Sequence, residues 1–437
     1  MKLSGWGRFP VQETTRLRPR DEAAIAPALA AGPLIARGNG RAYGDSAVGT
    51  RTLDMRAFDR MISFEDGLLA AEAGVLLADV IATFLPRGWF PVVTPGTKFV
   101  TLGGMIAADV HGKNHHAEGS LRDHLAWLEL IGPDGVPQRC SPTENAELFH
   151  WTVGGMGLTG VILRAGLRLR PVETAWIRQT THPAPDLAHA MALFEQNAGA
   201  TYSVAWIDCL ATGPALGRSL VMLGEHAGLA ELDARRRAAP FETPAKRRRS
   251  VPFDAPGRAL NRYSVRAFNG LYYRAGQRRA GTSLVDWDSY FYPLDAVLHW
   301  NRIYGRKGLV QFQCVLPLAR SEAGIRRLLE EISAAGHGSF LAVLKRFGAQ
   351  DSPVSFPMEG YTLALDFPVS DAVLRLLDRL DPIVAAHGGR FYLAKDARLR
   401  ADTLRATDPR TEGFAAMRRA QGLAPAFASF QSERLSL

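Results

Sequence analysis

The spacing of apolar positions changes several times along the chain, and each change marks an element. Leu34, Ile35 and Ala36 form a short extended run that a glycine-rich loop interrupts, and Thr52 to Met55 is a second extended segment. LLAAEAG then reads as a strand, and VLLADVIATFLPRG repeats apolar residues at helical spacing until glycine ends it. Phe90 to Val93 is expected to be extended, Thr94-Pro95-Gly96 to turn, and LGGMIAAD to form a short buried helix whose small residues permit close backbone approach. LAWLELIGPDGVPQRCS predicts a hairpin around Pro133-Asp134-Gly135, followed by a helix over Glu144 to Thr152 and a strand over Val161 to Leu169.

After about residue 230 the pattern weakens. ELDARRRAAPFETPAKRRRSVPFDAPGR combines arginine clusters with prolines and few apolar residues, which predicts a loop or mobile basic segment over about 230–280. Two readings stay open for Arg235, Arg236, Arg237, Lys246, Arg247, Arg248 and Arg249: a solvated connection within one domain, or a flap or patch for anionic lipid. From Leu309 onward, the strands LVQFQCVLP and YTLALDFPV alternate with the helices SEAGIRRLLEEISAAG and DAVLRLLDRLDPIVAAHGG, the pattern of helices packed on an antiparallel sheet. No internal repeat or low-complexity tract interrupts the chain.

A length of 437 residues with 47% hydrophobic content is enough for two domains. The formal net charge of +9 favours anionic partners: nucleotides, sugar phosphates, nucleic acid or an anionic membrane surface. MKLSGWGRFPVQ lacks the apolar run of a signal peptide, and no stretch is long and apolar enough to cross a bilayer, so a cytoplasmic location is expected. Cys140, Cys209 and Cys314 are scattered and without CxxC spacing, which argues against a disulfide framework or structural zinc and reads as small buried apolar side chains.

Four segments carry candidate chemistry. In Ala36-Arg37-Gly38-Asn39-Gly40-Arg41-Ala42-Tyr43-Gly44-Asp45, closely spaced glycines after a strand let backbone N–H groups turn inward onto phosphate oxygens; an ordinary tight turn would not need Arg37, Arg41 and Tyr43. Gly155-Met156-Gly157-Leu158-Thr159-Gly160 satisfies GxGxxG formally, but a helical stretch precedes it and a strand follows, the reverse of a Rossmann fingerprint. It is therefore a structural bend or a bend admitting another cofactor. His111 and His115 are four apart, yet Gly112 and Asn114 disfavour a shared helix face; metal ligation, structural histidines and a cofactor or substrate site remain as readings, and no metal is expected. Lys395 follows a strand-like FYL and stands beside Asp396, where a surface ion pair is the ordinary explanation.

Taken in order, GWGR, ARGNGRAYGD, TPGTKFVTLGGMIAADVHGKNHH, TVGGMGLTG, WNRIYG, QFQCVLP and YLAKDAR resemble the FAD-containing oxidase subunits of decaprenylphosphoryl-β-D-ribose 2-epimerases, within the vanillyl-alcohol-oxidase superfamily. The resemblance runs from about Gly5 to the C-terminus. It implies an α+β, two-domain PCMH-type fold: an FAD-binding domain from residues 1–175 plus 390–437, and a substrate-binding domain over 176–389, built on an antiparallel sheet flanked by helices. It also implies that the flavin contacts Arg37, Gly38, Asn39, Gly40, Arg41, Ala42, Tyr43 and Gly44 in the first loop. Thr94, Pro95, Gly96, Thr101, Gly103, Gly104 and Ala107 follow in the next segment, then His111, Gly112 and Asn114, then Gly157, Gly160 and Ile162, and last Lys395. Where many superfamily members carry a flavin-linked histidine this chain has Arg41, so FAD is expected to be non-covalent.

The implied reaction is oxidation of the furanose 2-hydroxyl of a polyprenyl-phospho-β-D-ribose, the first half of an epimerisation to the arabinose form in cell-wall arabinan synthesis. Lys395 matches the family's essential lysine and would stabilise negative charge on the reduced flavin. Tyr43, His111 and Lys113 would line the reacting face, with Trp206, Phe291, Gln311, Gln313, Lys345, Thr362 and Ala364 approaching from the substrate domain. Thr362 and Ala364 stand where well-known members have Asn and Cys, and Phe291 where a tyrosine is expected. The alternative is an oxidase of a soluble alditol or aldonolactone. An NAD(P)H-dependent keto-sugar reductase partner and peripheral attachment at the inner face of the membrane are further expectations; nucleic acid is not an expected partner, since no binding motif accompanies the charge.

Overall fold

The computed structural model describes residues 1–244, 246, 249–256 and 260–437. Two of the basic residues singled out above, Arg247 and Arg248, therefore lie outside the described residues.

The N-terminal half is built from short sheets. Strands β1 (Thr15–Leu17), β2 (Ile35–Arg37) and β3 (Arg51–Asp54) form a parallel sheet in the order β1-β3-β2. An antiparallel sheet follows, formed by β4 (Met61–Glu65), β5 (Leu68–Glu72), β6 (Trp89–Pro91), β7 (Leu125–Ile131), β8 (Pro137–Cys140) and β9 (Val161–Pro171). Its order is β8-β7-β9-β5-β4, with β6 paired to the far end of β9. Helices α1 (Leu77–Phe84) and α2 (Leu102–Ala107) bury Val80, Ile81, Met105 and Ile106 against it. Helix α3 (Ala146–Thr152) precedes the glycine bend and β9 follows it, the helix-then-strand order that a Rossmann turn lacks.

Strand β10 (Trp176–Ala184) opens a larger sheet, and helix α4 (Leu187–Gln196) connects it to β11 (Tyr202–Ile207) and β12 (Ser219–His226). After helix α5 (Arg262–Arg278) come β13 (Gly281–Asp286), helix α6 (Trp287–Phe291), β14 (Leu309–Pro317), helix α7 (Leu318–Ala335), β15 (Ala342–Phe347), β16 (Gly360–Pro368), helix α8 (Asp371–Ala386) and β17 (Arg390–Phe391). The eight strands pair antiparallel in the order β13-β10-β12-β11-β15-β16-β14-β17.

Strict alternation gives this sheet two unlike faces. Ala205, Ile207, Phe312, Cys314, Leu344, Leu363, Leu365 and Phe367 point one way and pack with Phe194, Ile325, Leu328, Leu376 and Leu380 of α4, α7 and α8 in one buried cluster. On α7 the buried residues recur at Ser321, Gly324, Ile325, Leu328, Leu329 and Ile332, one stripe of a helix that left-handed Gly336 ends. The intervening residues, including Trp206, Lys345, Thr362, Ala364, Asp366, Gln311 and Gln313, share the other face, toward the N-terminal half.

The chain ends by returning to that half. Helices α9 (Arg410–Ala420) and α10 (Phe430–Leu435) follow β17, and Phe414, Met417 and Phe427 pack on Leu34, Ile35 and Leu53. Fully buried Arg418 donates from Nε to Leu158 O at 3.1 Å and from its terminal nitrogens to Leu437 O and Phe427 O, tying the glycine bend to the C-terminal tail.

Several expectations need correction. The predicted strand at Phe90 to Val93 is Trp89–Pro91, and Lys395 follows Arg390–Phe391 in a turn rather than riding on a strand. The basic segment is not a continuous loop, because it contains α5 and a short helix over Ala234–Ala238. Asn261 caps α5 by accepting from Tyr263 N and Ser264 N, and the helix buries Val265, Asn269 and Tyr273, four apart. Its middle buried residue is polar: Asn269 Nδ2 donates to Asp208 Oδ1 at 2.8 Å, so the apolar period alone does not reveal the helix. Nor is the first cluster a free patch. Arg236 lies 4.4 Å over Trp176 and pairs with Asp233, Arg237 donates to Leu229 O and Leu232 O, and Lys246 pairs with Asp286 and Asp288.

Arg418→Met removes three charge-assisted hydrogen bonds from a buried site and leaves their carbonyls unpaired, so unfolding free energy is expected to fall by roughly 3 kcal/mol. The readout is the urea midpoint at unchanged slope; a shift worth less than about 1 kcal/mol would show that the tail is held by its apolar packing alone.

Candidate functional site

The glycine loop leaves β2 and is wedged between two other segments. A Cβ on Gly38 would lie 2.0 Å from Thr101 Oγ1, and one on Gly44 2.0 Å from Asp396 O. Gly40 turns with φ +64°, and a Cβ there would strike the Arg37 guanidinium. That guanidinium donates to Ser4 O at 2.8 Å and Ala47 O at 3.3 Å, so Arg37 buttresses the loop from beneath. Asn39 Nδ2 donates to Phe99 O at 2.8 Å, and Arg41 stacks 4.1 Å over Trp6 and 5.3 Å over Phe99. The side chains are thus engaged in holding the loop, whereas the backbone N–H groups of Asn39, Gly40, Arg41 and Ala42 meet no acceptor among the described residues. Successive free amides in a glycine turn suit phosphate oxygens.

Beside this loop, Thr101 caps α2 by accepting from Gly104 N at 3.3 Å. A Cβ on Gly103 would lie 2.8 Å from Ala73 Cβ, so that glycine serves close packing; exposed Gly104 and Gly96 face open space, with no crowding beyond Thr101 Oγ1 at 3.1 Å from a Gly104 Cβ. The bend docks on the end of α2 through Gly154 N to Ile106 O at 3.1 Å and Met156 N to Ala107 O at 2.8 Å. Gly157 turns with φ +78°, while a Cβ on Gly160 would meet Leu130 at 2.5 Å, and Ile162 is buried in β9. Asn114 Nδ2 donates to Val92 O, leaving Asn114 Oδ1 buried and unpartnered; His111 Nδ1 is unpartnered as well. Buried polar atoms left unpaired at a row of small residues fit a polar ligand with a flat body. Thr94 is buried and Pro95 half-buried along this wall.

Charge defines the opposite side. Lys395 Nζ lies 4.0 Å over the ring of Tyr43, whose own amide donates to Ala394 O at 3.0 Å. Burial lowers the Lys395 pKa, and Asp366 alone opposes the shift. Lys345 is lowered to about 8 by burial and by Lys395; Lys113 is lowered to about 7 by burial and by Lys345. Three ammonium groups, each retaining some exposure, therefore sense one another in sequence. Burial raises the pKa of Asp366, which accepts a hydrogen bond from Gln311 Nε2. Burial first, then Lys345, keep His111 neutral, with its Nε2 3.2 Å from Gln313 Nε2.

The sheet register explains the grouping. Gln311 stands opposite Asp366, Gln313 opposite Ala364, and Lys345 opposite Thr362, all on the face turned away from α4, α7 and α8. Gln313 Nε2 also reaches Thr362 Oγ1 at 3.3 Å, and Thr362 donates to Cys314 O. Tyr43, His111, Lys113, Lys345, Lys395, Gln311, Gln313, Thr362 and Ala364 are thus gathered about one opening. Two expected residues sit apart from its centre. Trp206 shares the face but donates to Phe340 O and packs 4.8 Å from Tyr272, toward α5. Phe291 is buried against Phe90 and Tyr202, while Lys113 lies 4.1 Å over Tyr290 and donates to its carbonyl oxygen.

Sequence reasoning missed Asp366 and Tyr290. Asp366 was legible: in YTLALDF the period of two puts 362, 364 and 366 on one face, and a carboxylate there breaks an otherwise apolar strand. The histidine segment forms no common ligand set. His115 Nε2 bonds Gln350 Oε1 at 2.7 Å, His116 Nε2 bonds Ala200 O at 2.7 Å, and among the described residues no three His, Cys, Asp or Glu side chains cluster to hold a metal.

Comparison with known proteins agrees with this geometry. A family described as an FAD binding domain matches residues 17–141, the span that holds the first loop, α2 and the His111–Asn114 segment. The whole chain is 35% identical to the decaprenylphosphoryl-β-D-ribose oxidase of Mycolicibacterium smegmatis and covers 97% of it. It is 37% identical, over 81% of its length, to an uncharacterized protein of Streptomyces coelicolor, again covering 97%. Similarity to cytokinin dehydrogenase 5 of Arabidopsis thaliana, at 33% identity, is confined to 24% of the chain and 20% of that protein.

The lysine cluster makes stability depend on pH. Lys345 has a folded pKa of about 8 against 10.5 for a free side chain, so between those values the unfolded chain binds the extra proton and stability rises with pH. The contribution is full above the unfolded value and lost as pH falls through about 8. Lys345→Met is therefore expected to raise the denaturant midpoint more at neutral pH than at pH about 10. Equal shifts at both pH values would contradict the shared desolvation.

Proposed function

The chain belongs to the family of the decaprenylphosphoryl-β-D-ribose oxidases and is an FAD-dependent oxidoreductase of PCMH-type two-domain fold; from that premise we propose that it oxidises the furanose 2-hydroxyl of a polyprenyl-phospho-β-D-ribose to the 2-keto sugar. The observation that carries this reading is the cluster of Lys113, Lys345 and Lys395 on the rim between the free loop amides and the sheet's open face. Bound FAD supplies the two-electron acceptor for the carbinol hydride. The first loop, Thr94 to Gly104, His111 to Asn114 and the Gly157 bend would hold it, with Arg41 in place of an attachment histidine and hence no covalent link.

The chain's own side chains divide the remaining work. Lys395, fixed against the Tyr43 face, places positive charge where negative charge develops during oxidation. Asp366 opposes the lowering of its pKa and so favours the ammonium form. Gln311 and Gln313 are each held by a neighbour and offer their remaining polar atoms to sugar hydroxyls. Lys113 and Lys345 answer the charge of a phosphate. Thr362 is already bonded to Cys314 O and Ala364 is small, so the sheet wall beside the sugar is smooth rather than reactive.

Full-length similarity to an oxidase named for a lipid-linked ribose does not favour the soluble alditol or aldonolactone alternative. The keto sugar would be consumed by an NAD(P)H-dependent reductase acting as partner, with the enzyme cytoplasmic and peripheral at the inner face of the membrane.

Anaerobic mixing with a polyprenyl-phospho-ribose is expected to bleach the visible flavin band, and free ribitol or ribonolactone to leave it. Lys395→Ala should retain flavin but lower kcat on the order of a hundredfold. Bleaching by the free polyol alone, or full activity in the lysine variant, would overturn the assignment.

A further inference from the structure

The one strongly amphipathic element that α5 adds to the basic segment is turned outward. Val265, Asn269 and Tyr273 face the sheet, and Gly276 packs against Leu220. The opposite side exposes Tyr263 at 75% and Leu271 at 68%, with Phe268 and Tyr272 at its edge also exposed. Arg262, Arg266, Arg274, Arg278 and Arg279 surround these side chains, and no acidic residue occurs between 262 and 279. Phe268 and Tyr272 stack on each other at 5.8 Å beside exposed Leu271, and such grouped apolar side chains among arginines mark an interaction surface rather than ordinary scatter.

The same helix is linked toward the Tyr43–Lys395 opening by a chain of ring contacts. Trp206 lies 4.8 Å from Tyr272, Phe268 5.7 Å from Phe340, and Phe340 stacks at 5.6 Å on Tyr304. Tyr304 shares a buried cluster with Tyr43, the ring beneath Lys395.

We propose that the outward face of α5 docks on an anionic lipid bilayer, so that a lipid-linked sugar reaches the Tyr43–Lys395 opening while its chain stays in the membrane; the second half of this statement rests on the function proposed above. A bilayer satisfies both halves of the surface, taking Leu271 and Tyr263 into the acyl boundary while lipid headgroups neutralise the arginines. A second copy docked face to face would oppose arginine to arginine, and a nucleic acid would leave Leu271 in water.

The test is flotation of the full-length flavoprotein with phosphatidylcholine vesicles, with and without phosphatidylglycerol. Binding is expected only with the anionic lipid, weakening as salt rises. The double variant Leu271→Asp, Arg274→Glu should lose at least about tenfold in vesicle affinity while keeping its flavin band and solution mass, and the single variant Tyr263→Ser should weaken binding to a lesser degree. Wild-type protein that stays with the supernatant, or a double variant that floats as well as wild type, overturns the proposal. So does an α5 substitution that changes self-association or nucleic-acid retention instead. Oxidation of a water-soluble short-chain polyprenyl-phospho-ribose separates the two ideas. Failure of the wild type on that compound refutes the proposed reaction and leaves the vesicle result standing. Equal rates for both proteins on it, with the double variant slowed only on vesicle-embedded substrate, support docking.

Discussion

Positive charge gathered in a half-buried pocket is the constraint on which the rest of this structure turns. Lys113, Lys345 and Lys395 come from three distant parts of the chain, and each is lowered first by burial and then, for Lys113 and Lys345, by a neighbouring lysine. Bringing such groups together is unfavourable unless anions share the space, and among the residues shaping their pKa values Asp366 is the one carboxylate that answers Lys395. A pocket with surplus cations beside unpaired backbone amides is therefore built for anionic ligands, which FAD and a sugar phosphate both are.

The architecture follows from keeping that pocket open. Helices α4, α7 and α8 cover one face of β11, β14, β15 and β16, which leaves the alternate residues of those strands to face the flavin-binding half. The C-terminal segment then crosses back, carrying Lys395 from the end of β17 to the Tyr43 loop before Arg418 locks the tail onto the glycine bend. Gly44 has no room for a side chain because the backbone of Asp396 lies against it, so the loop and the turn that carries Lys395 fit only as a pair.

Much of this was legible in the residues. Glycine spacing located the first loop, reversed helix and strand order excluded a Rossmann turn at Gly155 to Gly160, and LVQFQCVLP and YTLALDFPV read as strands of an antiparallel sheet packed with helices. What escaped notice depends on partners remote in sequence. Arg37 looks like a phosphate ligand until its bonds to Ser4 O and Ala47 O are seen. Helix α5 is obscured because its buried stripe includes Asn269, polar yet satisfied by Asp208. Asp366 itself stands out in YTLALDF, but its pairing with Lys395, carried in by the last segment of the chain, does not.

The central claim is that the backbone amides of the glycine loop and its neighbouring segments hold the flavin without a covalent bond, Arg41 standing where attachment would occur. Its most direct test is the visible absorption spectrum of the purified protein before and after acid precipitation. A flavin band that passes into the supernatant is the expected result. A band that stays with the precipitate would contradict the role given to Arg41, and a colourless protein that takes up no added FAD would contradict the pocket itself.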